Sequence, residues 1–266
     1  AKAVYNIVDT AYIGMLHSDI ALAAVGVTLP LLLIMVSVEN IFAAGAAVLA
    51  GRQLGAADKK GANTTVTTVI GLSVLIGALL CVGGIIAALA NLPAQSLNCA
   101  ARAESSVRIS SIAVITGAVL NVVLDPIFMF DWGLGLGVGG ASLATTVSQF
   151  VTFAILVGFY ASGRSIIKIH PRYFKPNWKL IKTVTLIGIP TAVIQICLAV
   201  ATSLTNMAAK PMADADLIIA AYGVVQRLVL IGCYVIMGFM QGYQPVASYA
   251  FGAKNEDRFH ACVQFA

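Results

Sequence analysis

The stretch Val119-Leu120-Asn121-Val122-Val123-Leu124-Asp125-Pro126-Ile127-Phe128-Met129-Phe130 decides how the chain is read. It is apolar apart from Asn121 and Asp125. These two lie four apart, so on a helix they share one face. Pro126 follows at once, and a proline inside a helix leaves a carbonyl one turn back without its amide donor. Pro126 is therefore expected to mark a helix bend. A carboxylate at membrane depth costs several kcal/mol unless water, a proton or a cation meets it. Asp125 is thus a candidate functional residue, with a structural acid hydrogen-bonded inside a helix bundle as the other reading.

That argument needs a membrane, and composition supplies one. The chain is 59% hydrophobic and 10% charged, with a mean hydropathy of +0.93. Soluble domains run near 45–50% apolar and roughly 25% charged. Several uncharged stretches exceed the roughly 18 residues that suggest a spanning helix. The net charge of +5 does not point to nucleic acid, because the bases fall in short loops between apolar segments, where they set topology. No cleavable signal peptide is visible, and the chain is expected to begin inside a helix.

The five cysteines form no C-x-x-C pair and read as small buried hydrophobes. The histidines His17, His170 and His260 lie in or beside loops. No H-E-x-x-H, G-x-S-x-G or P-loop pattern occurs. An intramembrane enzyme would need a nucleophile–base pair or a metal cluster at depth, so the chain is not expected to be an enzyme.

Working outward, apolar segments are expected over 3–15, 21–50, 62–97, 107–130, 141–162, 180–209, 217–251 and 260–266. The basic loops follow the second segment (Arg52, Lys59, Lys60), lie between Arg164 and Lys182, and follow the last long segment (Lys254, Arg258). All three should be cytoplasmic. The Arg164–Lys182 loop is expected to be solvated, with anionic lipid as a secondary contact. Parity then conflicts with a single crossing by 62–97, because it puts Arg102, Arg108 and the Arg164–Lys182 loop outside. Either 62–97 is a tight hairpin turning near Gly83-Gly84, or a helix is absent. Hairpin legs of under about 18 residues are short for a span, so the absent helix is expected, at Asn98 to Arg102.

A repeat is also legible. Gly26 matches Gly223, Gly45 matches Gly242 and Gly55 matches Gly252, all at an offset of 197 residues. Both copies end in a charged loop, so they are parallel. Parallel repeats suggest two lobes with a substrate cavity between them. The expected fold class is all-α: a polytopic membrane protein of two parallel-repeat helical lobes. Residues 1–163 form the amino-terminal lobe, 164–182 the cytoplasmic inter-lobe loop, and 183–266 the start of the carboxy-terminal lobe.

Several motifs together resemble the multidrug and toxic compound extrusion (MATE) family of cation-coupled antiporters. They are Tyr5-Asn6-Ile7-Val8-Asp9-Thr10, Leu54-Gly55-Ala56, Asn121 to Pro126, Gly137 to Thr145, Gln241 to Pro245, and Tyr249 to Asn255. The resemblance covers nearly the whole chain and implies helices one to three, five to eight and the edge of nine of a twelve-helix pattern. The first helix would be truncated, the fourth missing from the amino lobe, and the carboxy lobe incomplete without helices ten to twelve.

By the same resemblance, Asp9, Asn121, Asp125 and Thr145 form a cation or proton site. Carboxylate, amide and hydroxyl oxygens are hard ligands that suit Na⁺ rather than Zn²⁺ or Cu. No cofactor is implied beyond the coupling ion, H⁺ or Na⁺. The implied partners are small organic cations and membrane lipid, with no nucleic acid, in a monomer in the bacterial inner membrane. Glu39, Gln195, Asn206, Tyr222 and Gln244 are candidate cavity-lining residues. A lipid-linked sugar flippase of the same superfamily and a non-transporting remnant are the alternatives.

Overall fold

The computed structural model describes Val8, Ala11, Tyr12, Met15 and residues 19–82, 86–209 and 215–265. Within these, only the backbone is described for 19–35 and for scattered positions between 80 and 89 and between 209 and 234, and at 265. The helices are α1 (Asp19–Gly55), α2 (Lys59–Val82), α3 (Ile86–Ala103), α4 (Val107–Met129), α5 (Val138–Ala161), α6 (Trp178–Ala209), α7 (Ala215–Gly252) and α8 (Glu256–Phe265). A short 3₁₀ turn, Pro171–Tyr173, precedes α6. No strand occurs among the described residues.

The helices are built inside out relative to a soluble bundle. On α4 the buried residues are Ser110, Ala113, Gly117, Asn121, Asp125 and Met129. Ile112, Ile115, Val119 and Val123 of the same helix are more than half exposed. The outer face is thus the more apolar one, which suits hydrocarbon and not water. Four helices among the described residues are long and apolar enough to cross a membrane: Lys59–Leu79, Val107–Met129, Val138–Ala161 and Trp178–Ala208. The chain's two tryptophans are both largely exposed, Trp132 between α4 and α5 and Trp178 at the start of α6. These are opposite ends of the spans, where interfacial aromatic residues collect.

The single crossing expected over 62–97, and the helix expected to be absent at Asn98 to Arg102, are corrected. Two helices, α2 and α3, occupy this region and pack together. Ser73 and Ser96 bond side chain to side chain at 2.8 Å, and Val66 shares a buried cluster with Cys99, Ala100 and Ala103. Residues far apart in sequence meet in reverse order, as in a hairpin. The legs are longer than the apolar count suggests because each takes in polar residues. Asp58 begins α2 by accepting from the Gly61 amide at 2.8 Å. The other leg, α3, runs on through Asn98, which accepts from Ser110, and Arg102, which donates to Gln241 and Cys99. Being packed against α1, α2 and α5, α3 needs little lipid-facing apolar surface, and a hydropathy count undervalues it.

With the hairpin in place, the turns after α1, α3, α5 and α7 fall on one side. That side gathers Arg52, Lys59 and Lys60, then Arg102 and Arg108, the Arg164–Lys182 bases, and Lys254 with Arg258. The segment joining α5 to α6 is not the freely solvated loop expected. Its lysines are exposed, but Ile167 is buried. Glu104 accepts from the Ser165 hydroxyl at 2.6 Å and the Ile167 amide at 3.0 Å. Asn63 holds the Lys168 amide at 2.9 Å. The cysteines also depart from expectation: of those described, Cys99 is buried but Cys197 is exposed on α6.

The 197-residue offset recurs in the backbone. The turn after α1 bonds Ala56 N to Arg52 O and Asp58 N to Gln53 O, and the turn after α7 bonds Ala253 N to Tyr249 O and Asn255 N to Ala250 O. Asn255 caps α8 through the Arg258 amide at 3.0 Å, as Asp58 caps α2, so α8 begins at Glu256 rather than His260. Ala57 (φ 59°) and Lys254 (φ 54°) hold the same left-handed position. The two helix ends also meet. A Cβ on Gly55 would lie 2.2 Å from the Tyr249 carbonyl oxygen, and one on Gly252 would lie 2.0 Å from that of Arg52. Residues 52 and 249, like 55 and 252, are 197 apart, so each half presents the same contact to the other.

Two outcomes follow. Gly55→Leu or Gly252→Leu should lower the thermal unfolding midpoint of the detergent-purified protein, by overpacking worth about 1–3 kcal/mol. Lys254→Gly should raise it, through stabilisation worth about 1 kcal/mol, because glycine takes positive φ without steric cost.

Candidate functional site

Asn121 and Asp125 sit one turn apart on the inward face of α4, as their spacing requires. Asp125 has no exposed surface and Asn121 is 2% exposed. Asn121 Nδ2 donates to Asp125 Oδ1 at 3.1 Å and to Thr145 Oγ1, on α5, at 3.3 Å. Three of the four residues expected at the ion site are thus joined by one amide group. The fourth, Asp9, lies outside the described residues. Nearby Tyr12 packs edge-on against Phe130, at the end of α4, with ring centroids 6.1 Å apart. Pro126 lies within α4, which continues to Met129.

Beside this cluster, α3, α4 and α5 border a partly open cavity of about 30 Å³. Its polar lining comes from Asn91, Gln95 and Asn98 on α3, Asn121 on α4, and Thr145 and Ser148 on α5, among others. Lysine and arginine are absent from the described lining. Glu39, 4% exposed on α1, accepts from Asn91 Nδ2 at 3.2 Å and so touches the wall of this cavity.

The remaining expected lining residues, candidates for a carboxy-lobe cavity, lie on α6 and α7. Gln195 is buried and Asn206 half-buried on α6, and Gln244 is half-buried on α7. Tyr222 accepts from Gln226 Nε2 at 2.9 Å, and the same nitrogen reaches Thr202 on α6 at 3.2 Å. None of these four lines the cavity. The sequence reading missed Asn91, Gln95 and Asn98. Their spacing of four and three is a helical stripe, visible once 86–103 is treated as a helix.

The family described as MatE matches residues 1–88 and 190–266. The chain is 27% identical over 280 residues to the multidrug export protein MepA of Staphylococcus aureus (strain MSSA476), covering 95% of this chain and 61% of that protein. It is 25% identical to the protein of the same name from Staphylococcus haemolyticus, covering 94% of this chain and 61% of that one. The chain thus spans about three fifths of the length of these relatives. Its fold matches a solved structure described as the outward-facing conformation of a multidrug resistance MATE family transporter of the MOP superfamily. That match has a TM-score of 0.84 at 23% identity and covers 98% of this chain and 63% of that one. With an inside-out helical bundle and a family match over more than half its residues, the chain belongs to the MatE family of multidrug and toxic compound extrusion transporters.

Proposed function

We propose that this chain forms part of a secondary active antiporter that exports cationic drugs or other organic cations in exchange for H⁺ or Na⁺. The observation that carries the reading is the complete burial of Asp125 within a spanning helix, hydrogen-bonded to Asn121. A carboxylate at that depth is costly unless a proton or cation neutralises it. Thr145 adds a neutral oxygen of the hard type that Na⁺ takes, Asn121 ties Thr145 to Asp125 through its amide nitrogen, and Asp9 would bring a second carboxylate from the first helix. Two carboxylates facing one site cannot both stay ionised cheaply, so the pair holds a proton or a sodium ion.

Binding the ion removes negative charge from the protein and weakens its hold on a cationic substrate. That difference in affinity between states is what coupling requires. The two staphylococcal relatives are named multidrug export proteins, and the reading extends that role to this chain. The protein would work as a monomer in the bacterial inner membrane, its basic side facing the cytoplasm. The lipid-linked sugar flippase alternative would need bases in its cavity to hold pyrophosphate, and the described lining beside Asp125 carries none.

The test is dye extrusion from cells under an imposed H⁺ or Na⁺ gradient, at matched expression. Asp125→Asn keeps the size and one oxygen but cannot bind a proton or neutralise a cation. It should abolish gradient-driven efflux while leaving the protein in the membrane, since losing a buried charge makes the helix easier to insert. Extrusion at the parental rate under both gradients would make Asp125 structural.

A further inference from the structure

We propose that the anchored segment joining α5 to α6 is a binding surface for an anionic phospholipid of the leaflet on the basic side. Arg172, Lys175 and Lys179 hold the phosphate headgroup, and Phe174 and Trp178 lie against the lipid below it. The inference goes beyond the antiport reading and does not depend on it.

The height of the segment in the membrane follows from its contacts. The span on α4 begins at Val107, and Ser110 there donates to Asn98 on α3. Val66 on α2 packs with Cys99 and Ala100, so it lies near the height at which α4 enters the membrane. Thr68 and Gly71 lie about 3 Å and about 7.5 Å further in, at the helical rise per residue. Thr68 Oγ1 takes the Lys175 amide at 3.3 Å and donates to the Lys175 carbonyl at 3.4 Å. A Cβ on Gly71 would lie 2.4 Å from the Phe174 ring, so that ring rests on α2 at this glycine. Thr68, Gly71, Leu75 and Leu79 form one helical stripe, and Leu75 and Leu79 are 60% and 73% exposed. The segment therefore sits at the head of the lipid-facing stripe of α2. On α6, Val184 packs with Val69. Trp178, six residues earlier, stands about 9 Å nearer the basic side than Val69, and about 4.5 Å outside Val66. Headgroup layers are about 5–7 Å thick on each side of the hydrocarbon. Phe174 thus meets the edge of the hydrocarbon, while Lys175 and Trp178 lie at headgroup height.

Charge selects the lipid. Residues 164–182 carry six bases and no acid, and Arg172, Lys175 and Lys179 are exposed. The nearby acid Glu104 is buried and accepts from Ser165 and the Ile167 amide. A zwitterionic headgroup brings an ammonium that these bases repel, whereas an anionic one brings only the phosphate they attract. The backbone is already fixed: Asn63 holds the Lys168 amide at 2.9 Å, and His170 Nδ1 holds that of Arg172 at 3.1 Å. Little ordering of the chain is then lost when lipid binds. Phe174 is 39% exposed and Trp178 77% exposed, and amphipathic rings of this kind collect at headgroup level.

The chain's two tryptophans make the test local. Trp132→Phe leaves Trp178 as the reporter, and Trp178→Phe leaves Trp132, beside Asp131 at the other end of the spans. Each variant is reconstituted into vesicles of phosphatidylcholine and phosphatidylglycerol in which one lipid or the other is brominated, and quenching is read against its mole fraction. At Trp178, half-quenching should need about tenfold less brominated phosphatidylglycerol than brominated phosphatidylcholine. The preference should vanish in Arg172→Gln/Lys175→Gln/Lys179→Gln, and should fade in the unsubstituted segment near 1 M salt, where the Debye length is about 3 Å. The salt arm keeps the test decisive if the triple variant folds poorly. Trp132 should show no preference. Equal quenching of Trp178 by the two lipids would overturn the proposal, as would a preference that survives the triple substitution. Quenching by neither lipid would also overturn it, showing a segment that faces water and suits an acidic soluble partner instead.

Discussion

Hydrocarbon offers no hydrogen-bond partner, so each polar side chain at membrane depth must be satisfied within the protein. The bundle follows from this constraint. Along α4 the small and polar residues Ser110, Gly117, Asn121 and Asp125 turn inward, while isoleucine and valine turn outward. The neighbouring α5 meets that inward stripe with Thr145, Ser148 and Thr152. The third wall, α3, has its amides on the cavity side. What would be a solvent-facing surface in a soluble protein becomes here a lined interior space.

The site was legible in sequence wherever a polar residue broke an apolar run. Asp125 stood out for that reason, and the spacing of four tied Asn121 to it. Thr145 came only through family resemblance, since a threonine in a helix carries no signal of its own. The hairpin was misjudged because apolar length measures contact with lipid, and α3 is enclosed by α1, α2 and α5. A buried helix can be short, contain Pro93 and carry amides, all of which depress the signal. The Glu39–Asn91 bond was equally hidden, joining residues 52 apart on helices whose packing the sequence does not specify.

The loop between α5 and α6 shows the reverse error. Its six bases made it read as solvated chain, yet charge at the side-chain tips says little about where the backbone goes. Glu104, Asn63 and Thr68 each bond its backbone, and Ile167 fills a core position among Ala47, Val66 and Ala103. The lysines project outward from an anchored segment. The connection to α6 is therefore fastened to α2 and α3 along much of its length.

Gly51 and Ser248, themselves 197 apart, meet where α1 crosses α7. A Cβ on Gly51 would fall 2.5 Å from the serine hydroxyl. A residue that meets its own counterpart lies beside an axis of rotation, as at the centre of an isologous dimer contact. Volume there is a shared quantity: whatever one copy gains must be vacated by the other. Two serines would collide, whereas two glycines, or one of each in either order, would fit. The pair can therefore drift apart in sequence only by exchanging bulk across the axis, and one half of the molecule constrains what the other may become.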